Sequence, residues 1–538
     1  MKSFRSTNFL LYSATIFGLL VLGLCCQSNI TTAADTMTVE TKLGQVKGVS
    51  REAGGAQFLG IPYAQPPVGD LRWHEPVAMK SWSGVRDASS FGAPCAQSIL
   101  GDWNRRDSET SKEDCLYLNV ITPEWPVKSP LPVMFWIHGG ANAGGTASSP
   151  LYKDGTLVKH GVILVTVNYR LSIFGFFAHP GLTKESAHHA SGNYGLMDQL
   201  AALQWVNENI SRFGGDPKNI TVFGQSAGAQ DTSLLMSSPL TKGLFQKAII
   251  QSGSGINPTL PTLSESEKNG EALAAVLKTP AGDAIAYLRS LTVSELLAGV
   301  ATQDPSKPPF IAPNVDGWIL TQSPDKVFST NQEPPIPMMI GTTAREFPFS
   351  APVDQVRQFI QNVTGDLAQR AFTLYGLADN KTGTDDPLYG SAGDQWFADL
   401  IFRCPVTTQA AWHSKLNKLT YQYELTHAIP GQENQGAIHS ADLPYVFGYY
   451  PKTGNISGGF NEVDFKLADL IESYWTNFAK TGNPNSTNLP NWSEFGATQN
   501  FIRFKQEGGA TVITGGMRLP QCDLLREVLA RRMATAKN

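Results

Sequence analysis

Gly224-Gln225-Ser226-Ala227-Gly228 is the tightest constraint this sequence places on its own fold. It follows the strand-like run Ile220-Thr221-Val222-Phe223 and precedes a helix-like stretch. That setting suits a nucleophile elbow, a turn so sharp that small residues must flank a serine raised at the carboxyl edge of a sheet. The motif is short, and in a chain with 50 glycines it has a second reading as a plain glycine turn. The remaining sequence decides between the two.

Short apolar or β-branched runs at Pro132–Ile137, Val162–Val167, Ile220–Phe223, Ala248–Gln251, Met338–Ile340, Thr420–Tyr423 and Thr511–Ile513 read as buried strands. Longer stretches at Met197–Ile210, Ala227–Met236 and Asp464–Lys480 read as helices. Strand and helix in alternation give an α/β chain with a large, mostly parallel central sheet covered on both faces, and such sheets place ligands at their carboxyl edges. The segments 259–309 and 351–395 read as cap-like helical insertions over a site. No internal repeat, charged block or low-complexity tract interrupts the pattern.

The first residues stand apart. Lys2 and Arg5 precede an apolar stretch from Phe9 to Cys26, and Thr32-Ala33-Ala34 offers small residues for cleavage, which reads as a signal peptide over residues 1–34. An uncleaved membrane anchor and a lipid-modified Cys25 or Cys26 are the competing readings. Loss of the leader removes two positive charges and takes the formal balance from −4 to about −6. The expectation is a secreted or periplasmic domain, residues 35–538, with no stable membrane association. With 42 basic and 46 acidic residues and no dense basic stripe, nucleic acid is excluded as a partner. Export makes Cys95, Cys115, Cys404 and Cys522 candidates for two disulfides, with three pairings open to them, and their spacing matches no metal site. Asn209, Asn219, Asn362 and Asn455 begin glycosylation sequons that matter only in a glycosylating host.

A serine hydroxyl is a poor nucleophile at neutral pH and needs a base, with an acid to orient that base. After an elbow the order along the chain is serine, acid, histidine. His413 falls in a helix-like stretch and His427 follows a strand immediately. His439 lies in the loop Gly436-Ala437-Ile438-His439-Ser440 beyond a strand and is the best placed. Glu346, after the strand at Met338 and the turn Gly341-Thr342-Thr343, is the candidate acid. The developing oxyanion needs amide donors, which His138-Gly139-Gly140-Ala141-Asn142 supplies after the strand Pro132–Ile137, with the N–H of Ala227 beside them.

The chain resembles the type-B carboxylesterase and cholinesterase family over essentially its whole mature length. The matching text includes Phe58-Leu59-Gly60-Ile61-Pro62-Tyr63-Ala64, Glu113-Asp114-Cys115-Leu116-Tyr117-Leu118-Asn119, Asn168-Tyr169-Arg170-Leu171, Gly192-Asn193-Tyr194-Gly195-Leu196-Met197-Asp198-Gln199 and Phe213-Gly214-Gly215-Asp216-Pro217. Trp475-Thr476-Asn477-Phe478-Ala479-Lys480-Thr481-Gly482 belongs to the same pattern. The resemblance implies an α/β-hydrolase fold that cleaves small-molecule carboxylic esters through Ser226, Glu346 and His439, with oxyanion donors at Gly140, Ala141 and Ala227. It implies no metal or organic cofactor. It also implies a supporting serine at Ser252 and disulfides Cys95–Cys115 and Cys404–Cys522.

Departures from the pattern bear on substrate. Ala141 and Asn142 stand where many members carry a third glycine and an aromatic, Gln225 stands for a common Glu, and Gln230 and Asp231 after the elbow are unusual. Choline esters are therefore poor candidates. Trp103, Arg105 and Arg106 lie inside the Cys95–Cys115 loop, a wall of the gorge in relatives. They are candidate substrate contacts together with Asn142 and Gln225, and the arginines would suit polycarboxylate esters such as the tricarballylic esters of fumonisin-type toxins. The rival from another class is a non-catalytic adhesion protein on the same fold, which has no need to retain all three of Ser226, Glu346 and His439.

Overall fold

Period two along the strands sorts their side chains onto two faces. Val133, Phe135 and Ile137 join one core cluster and Met134 and Trp136 the other; Val222 and Ile250 lie with the first set, Phe223 and Ile249 with the second. A sheet apolar on both faces must be covered on both. The computed structural model describes residues 37–535 apart from 154–155, 257–258, 281, 305–310, 384 and 418. The signal peptide expected over residues 1–34 lies outside the described residues.

The main sheet has eleven strands among the described residues, in the order Ala510–Ile513, Phe501–Phe504, Thr420–Leu425, Met338–Thr343, Lys247–Gln251, Gly215–Gln225, Leu131–Ile137, Ile163–Val167, Tyr117–Thr122, Ala56–Pro62 and Val49–Ser50. From Phe501–Phe504 through Ile163–Val167 every pairing is parallel; the outer strands are antiparallel. The expected mostly parallel architecture is thus what forms, with one difference. Thr511–Ile513 is a half-exposed strand that closes an antiparallel hairpin at the sheet's edge. Its β-branched residues satisfy the strand preference without the burial that usually accompanies it.

Helices Tyr194–Asn209 and Ala227–Ser237 cover the first face through Leu196, Leu200, Leu203, Leu234 and Leu235. Helix Glu462–Thr481 covers the second through Leu467, Ile471, Trp475 and Phe478. Each such buried side chain contributes roughly 1.5–3 kcal/mol. The long helix has clear ends. The Asn461 side chain accepts the Val463 N–H at 2.9 Å, Asp464 accepts the Asn461 N–H at 2.9 Å, and Gly482 stops the helix at φ 80°.

The insertions are helical, as expected. Helices Leu263–Val276, Ala284–Ser290 and Val293–Ala301 belong to the first, and Arg72 is tied to the carbonyls of Leu288, Arg289 and Leu291 at the last two. Helices Val353–Thr364, Ala368–Leu374 and Ala392–Ala398 form the second and pack around Cys404, Cys522 and Leu524. Among the described residues no single helix is long and apolar enough to cross a membrane. The Asn209 sequon is closed by burial: its side chain is 1% exposed and bonded to Lys42 N and Trp205 O.

Both disulfides form as Cys95–Cys115 and Cys404–Cys522. The second spans 118 residues and sits fully buried under the C-terminal helix Leu519–Thr535. A cross-link over so long a loop removes much unfolded-state entropy, so Cys404→Ser with Cys522→Ser is expected to cost about 2–5 kcal/mol. Thermal melts of that double variant beside wild type measure it; an unchanged midpoint would remove the bond from the stability account.

Candidate active site

The elbow is required by close approach. A Cβ on Gly224 would lie 2.3 Å from the Gly228 carbonyl oxygen, and one on Gly228 would lie 2.1 Å from that of Ile137. Only glycine fits either place. Between them Ser226 has φ 58° and ψ −124°, a conformation that costs on the order of 1–3 kcal/mol and persists only where surrounding bonds hold it. Those bonds are present: the Ser226 N–H donates to Gln251 O at 2.8 Å, and its carbonyl accepts the N–H groups of Ala229 and Gln230 at 3.0 and 2.9 Å.

Parallel neighbours bring the other groups to the same edge. Ser252 follows strand Lys247–Gln251, Glu346 follows Met338–Thr343, and the loop holding His439 follows Thr420–Leu425. These strands lie in sheet order beside Gly215–Gln225. Glu346 is fully buried with φ 54°. Its Oε1 accepts the Thr343 N–H at 3.0 Å, its Oε2 accepts Nδ1–H of His439 at 2.5 Å, and its carbonyl accepts the His439 N–H at 2.8 Å. Because the carboxylate only accepts, the imidazole proton sits on Nδ1 and Nε2 keeps its lone pair.

Gln225 donates from Nε2 to that lone pair at 3.1 Å. The imidazole therefore stands one residue from Ser226, whose Oγ has no hydrogen-bond partner among the described residues. Such contacts commonly tighten only when substrate is bound. Ser252, also fully buried with φ 51°, leaves its Oγ without a partner among the described residues, and its N–H donates to Gly341 O at 2.8 Å.

The glycine loop lies on the opposite side of the elbow strand, after Leu131–Ile137. A Cβ on Gly139 would fall 3.0 Å from Ser226 Cβ, which puts this loop against the serine. The N–H groups of Gly140 and Ala141 have no acceptor among the described residues. Ala227 opens its helix, so its N–H has no intrahelical carbonyl to meet. Three amide donors, two in this loop and one at the helix start, are thus left unused. His138, buried and stacked on Tyr169 at 4.6 Å, is pushed down to about 4 by burial and stays neutral.

Aromatic rings flank these groups. Buried Asn104 bonds Gln97, Ser98 O, Leu100 N and Gly101 N, while Gln97 bonds both N and O of Gly145, so the disulfide loop is tied to the glycine loop. That tie sets Trp103, 47% exposed, with its ring edge 3.1 Å from where a Cβ on Gly140 would lie. On the other side Phe347, 46% exposed, lies over His439 with ring centroids 4.2 Å apart, and Phe402 follows at 5.0 Å.

Sequence reasoning missed both phenylalanines. Adjacency to Glu346 was an available signal for Phe347; Phe402 lies in the π-helical turn Asp399–Arg403, which has no local signature.

The remaining candidate contacts divide. Trp103 lies against Gly140, and Gln225 bonds His439. Arg105 is exposed and paired to Asp102 at 2.9 Å, whereas the exposed Arg106 guanidinium has no hydrogen bond or ion pair among the described residues and acts on the neighbouring Asp107 only through its charge. Asn142 turns inward, 6% exposed, with both side-chain polar atoms bonded to buried Asp231 and Tyr169. Its amide thus faces these interior partners, with one N–H and one oxygen lone pair still uncommitted.

Residues 35–523 match the family model described as the Carboxylesterase family. The chain is 36% identical to a fumonisin B1 esterase of Sphingopyxis macrogoltabida, over 87% of this chain and 86% of that one. It is 37% identical to para-nitrobenzyl esterase of Bacillus subtilis, over 85% and 92%. Identity to liver carboxylesterase 1 of Oryctolagus cuniculus is 33%, over 86% and 89%. Among solved structures, a PNB esterase superposes with a TM-score of 0.78 at 32% identity, covering 91% of this chain and 99% of that one. The fold is the expected α/β-hydrolase fold.

Proposed function

This chain belongs to the carboxylesterase family and is a carboxylic ester hydrolase, and from that premise we propose that Ser226, Glu346 and His439 carry the reaction through an acyl-enzyme. The observation that carries the proposal is the convergence of a Glu346–His439 pair on the residue beside Ser226, opposite a loop of unused N–H donors. Ser226 Oγ attacks the ester carbonyl while His439 Nε2 takes its proton; Glu346 holds the ring and stabilises the imidazolium. The amides of Gly140, Ala141 and Ala227 bind the tetrahedral oxyanion. His439 then protonates the leaving alcohol, and water repeats the cycle on the acyl group.

Residues 1–34 act as a signal peptide in this reading, and the protein works outside the cytoplasm. Two disulfides in one chain are the support for that location.

A narrower reading concerns polycarboxylate esters. Its support is the similarity to a fumonisin B1 esterase and an exposed Arg106 guanidinium, with no hydrogen bond or ion pair among the described residues, on the same short loop as Trp103. One panel tests both readings. Neutral p-nitrophenyl esters of graded acyl length and size-matched anionic esters are assayed on wild type and on Arg105→Ala with Arg106→Ala, and the organophosphate adduct is mapped by peptide mass. An adduct on any residue but Ser226 sinks the nucleophile assignment. A loss of kcat/KM of about tenfold confined to anionic esters supports the arginine reading; equal losses on both classes dispose of it.

A further inference from the structure

Asn142 and Asp231, two positions at which this chain departs from the pattern it resembles, meet in the interior. Asn142 Nδ2 donates to Asp231 Oδ1 at 3.0 Å, and Asp231 Oδ2 accepts from Gln199 Nε2 at 2.6 Å. Asn142 Oδ1 accepts the Tyr169 hydroxyl at 3.0 Å, and the same hydroxyl reaches His138 O at 2.8 Å. The Asn142 carbonyl accepts the Ser172 N–H at 2.7 Å. Both ends of the 138–142 loop therefore share the single Tyr169 O–H proton, and its last residue is held at three atoms.

The grip has something to hold. Ala141 and Asn142 have φ 57° and 54°, two successive residues in the left-handed region that a Cβ disfavours and that Asn tolerates better than most. Released, such a turn relaxes, and the Ala141 N–H turns with it. Asp231 belongs to the helix that begins at Ala227, the residue supplying the other side of the donor set.

We propose that Asn142 and Asp231 are positioning residues of the oxyanion site, the Asp231 carboxylate holding the turn that carries the Ala141 amide in register with the helix that carries the Ala227 amide. Neither touches substrate; they act through the two amides. The inference rests on the acyl-enzyme reading above.

A structural acid would be an uneconomical way to build this contact, because no cation among the described residues offsets its burial. Arg170, on the segment after Tyr169, is consumed by Asp198 on the Gln199 helix at 2.8 Å, and His138 is neutral. The Tyr169 phenol is itself raised well above its ordinary range by burial and by Asp231. Burial pushes Asp231 up to about 7, with the Asn142 and Gln199 amides pulling it back. A carboxyl raised in the folded state binds its proton more tightly there than in the unfolded chain. Its ionisation therefore lowers stability as pH rises from about 4 through 7. Asp231→Asn keeps the shape and removes that loss, while setting its NH₂ against one of the two amide donors that Asp231 accepts from, Asn142 or Gln199, which breaks the link.

The test uses the full chain, p-nitrophenyl butyrate as probe ester and a trifluoromethyl ketone as oxyanion mimic. Asp231→Asn and Asn142→Gly, the latter leaving the left-handed backbone accessible, are each expected to lower kcat about tenfold with KM within about twofold of wild type, and to weaken the ketone by the same factor. The double variant is expected to lose no more than the worse single one, since both break one link. At pH 8 the Tm of Asp231→Asn is expected to equal or exceed that of wild type. A kcat within about twofold of wild type for Asp231→Asn, additive losses, or a kcat loss accompanied by a lowered Tm overturns the proposal. Should Asn142→Gly not fold, the near-isosteric Asp231→Asn decides alone. Wild-type turnover that Ser226→Ala abolishes is the control: its failure strikes the acyl-enzyme reading, and its success with a silent Asp231→Asn strikes only this inference.

Discussion

Ser226→Ala is expected to leave a folded protein whose ester turnover has fallen by about 10⁴-fold or more. The chemistry offers no substitute for the lost atom. Without the hydroxyl, water must attack directly, helped only by substrate binding and by the amides of Gly140, Ala141 and Ala227, which sustain a residual rate well below that of the covalent route. The fold has little reason to change. Ala carries the same Cβ into φ 58°, the backbone bonds to Gln251, Ala229 and Gln230 do not involve the side chain, and the Oγ bonds nothing among the described residues. Initial rates on p-nitrophenyl esters, a melt, and intact mass after organophosphate treatment check all three points. Retained turnover, or an adduct formed on the variant, would remove Ser226 from the mechanism.

Glu346→Gln is expected to lower kcat by about 10²–10⁴-fold, for a reason read from two hydrogen bonds. Both carboxylate oxygens now accept, one from the Thr343 N–H and one from His439 Nδ1–H. A glutamine has one oxygen and one NH₂. Turned with the NH₂ toward Thr343, it sets donor against donor in a fully buried place. Turned the other way, it requires a lone pair on Nδ1 and so moves the ring proton to Nε2. Gln225, by rotating its amide, accepts that proton, which stabilises the wrong tautomer further. His439 then offers Ser226 a donor where the reaction needs a base. The effect belongs in kcat with KM little changed, and it should persist across esters of every acyl length. A variant within about tenfold of wild type would mean that Glu346 does not set the tautomer.

These two expectations rest on residues that were legible before any coordinates. The elbow announced itself through two glycines, one forced by the turn's own Gly228 carbonyl and the other by the carbonyl of Ile137 on the next strand. Strands at Leu131–Ile137, Gly215–Gln225, Lys247–Gln251 and Met338–Thr343 were legible from β-branched runs, because a strand buried on both faces writes its environment into consecutive residues. The half-exposed strand Ala510–Ile513 shows the limit, since its β-branched residues serve pairing at an edge rather than burial.

Contacts between distant parts of the chain had no such local trace. Asn142 read as a pocket residue from its place beside the oxyanion loop, yet its side chain is turned inward by a partner 89 positions away. Arg105 read as a candidate substrate contact and is paired three residues back to Asp102, while Arg106, of the same chemical type, has no hydrogen bond or ion pair among the described residues. Phe402 reaches His439 from a helical turn that no periodicity marks.

The sequence by itself determined the sheet's strands, the elbow and the serine, acid, histidine order, because those depend on backbone sterics and on burial averaged along a few residues. Tertiary structure alone decided which amide meets the imidazole, where Asn142 points and which rings wall the serine. Each of those turns on a few tenths of an ångström between groups that only the closed sheet brings together.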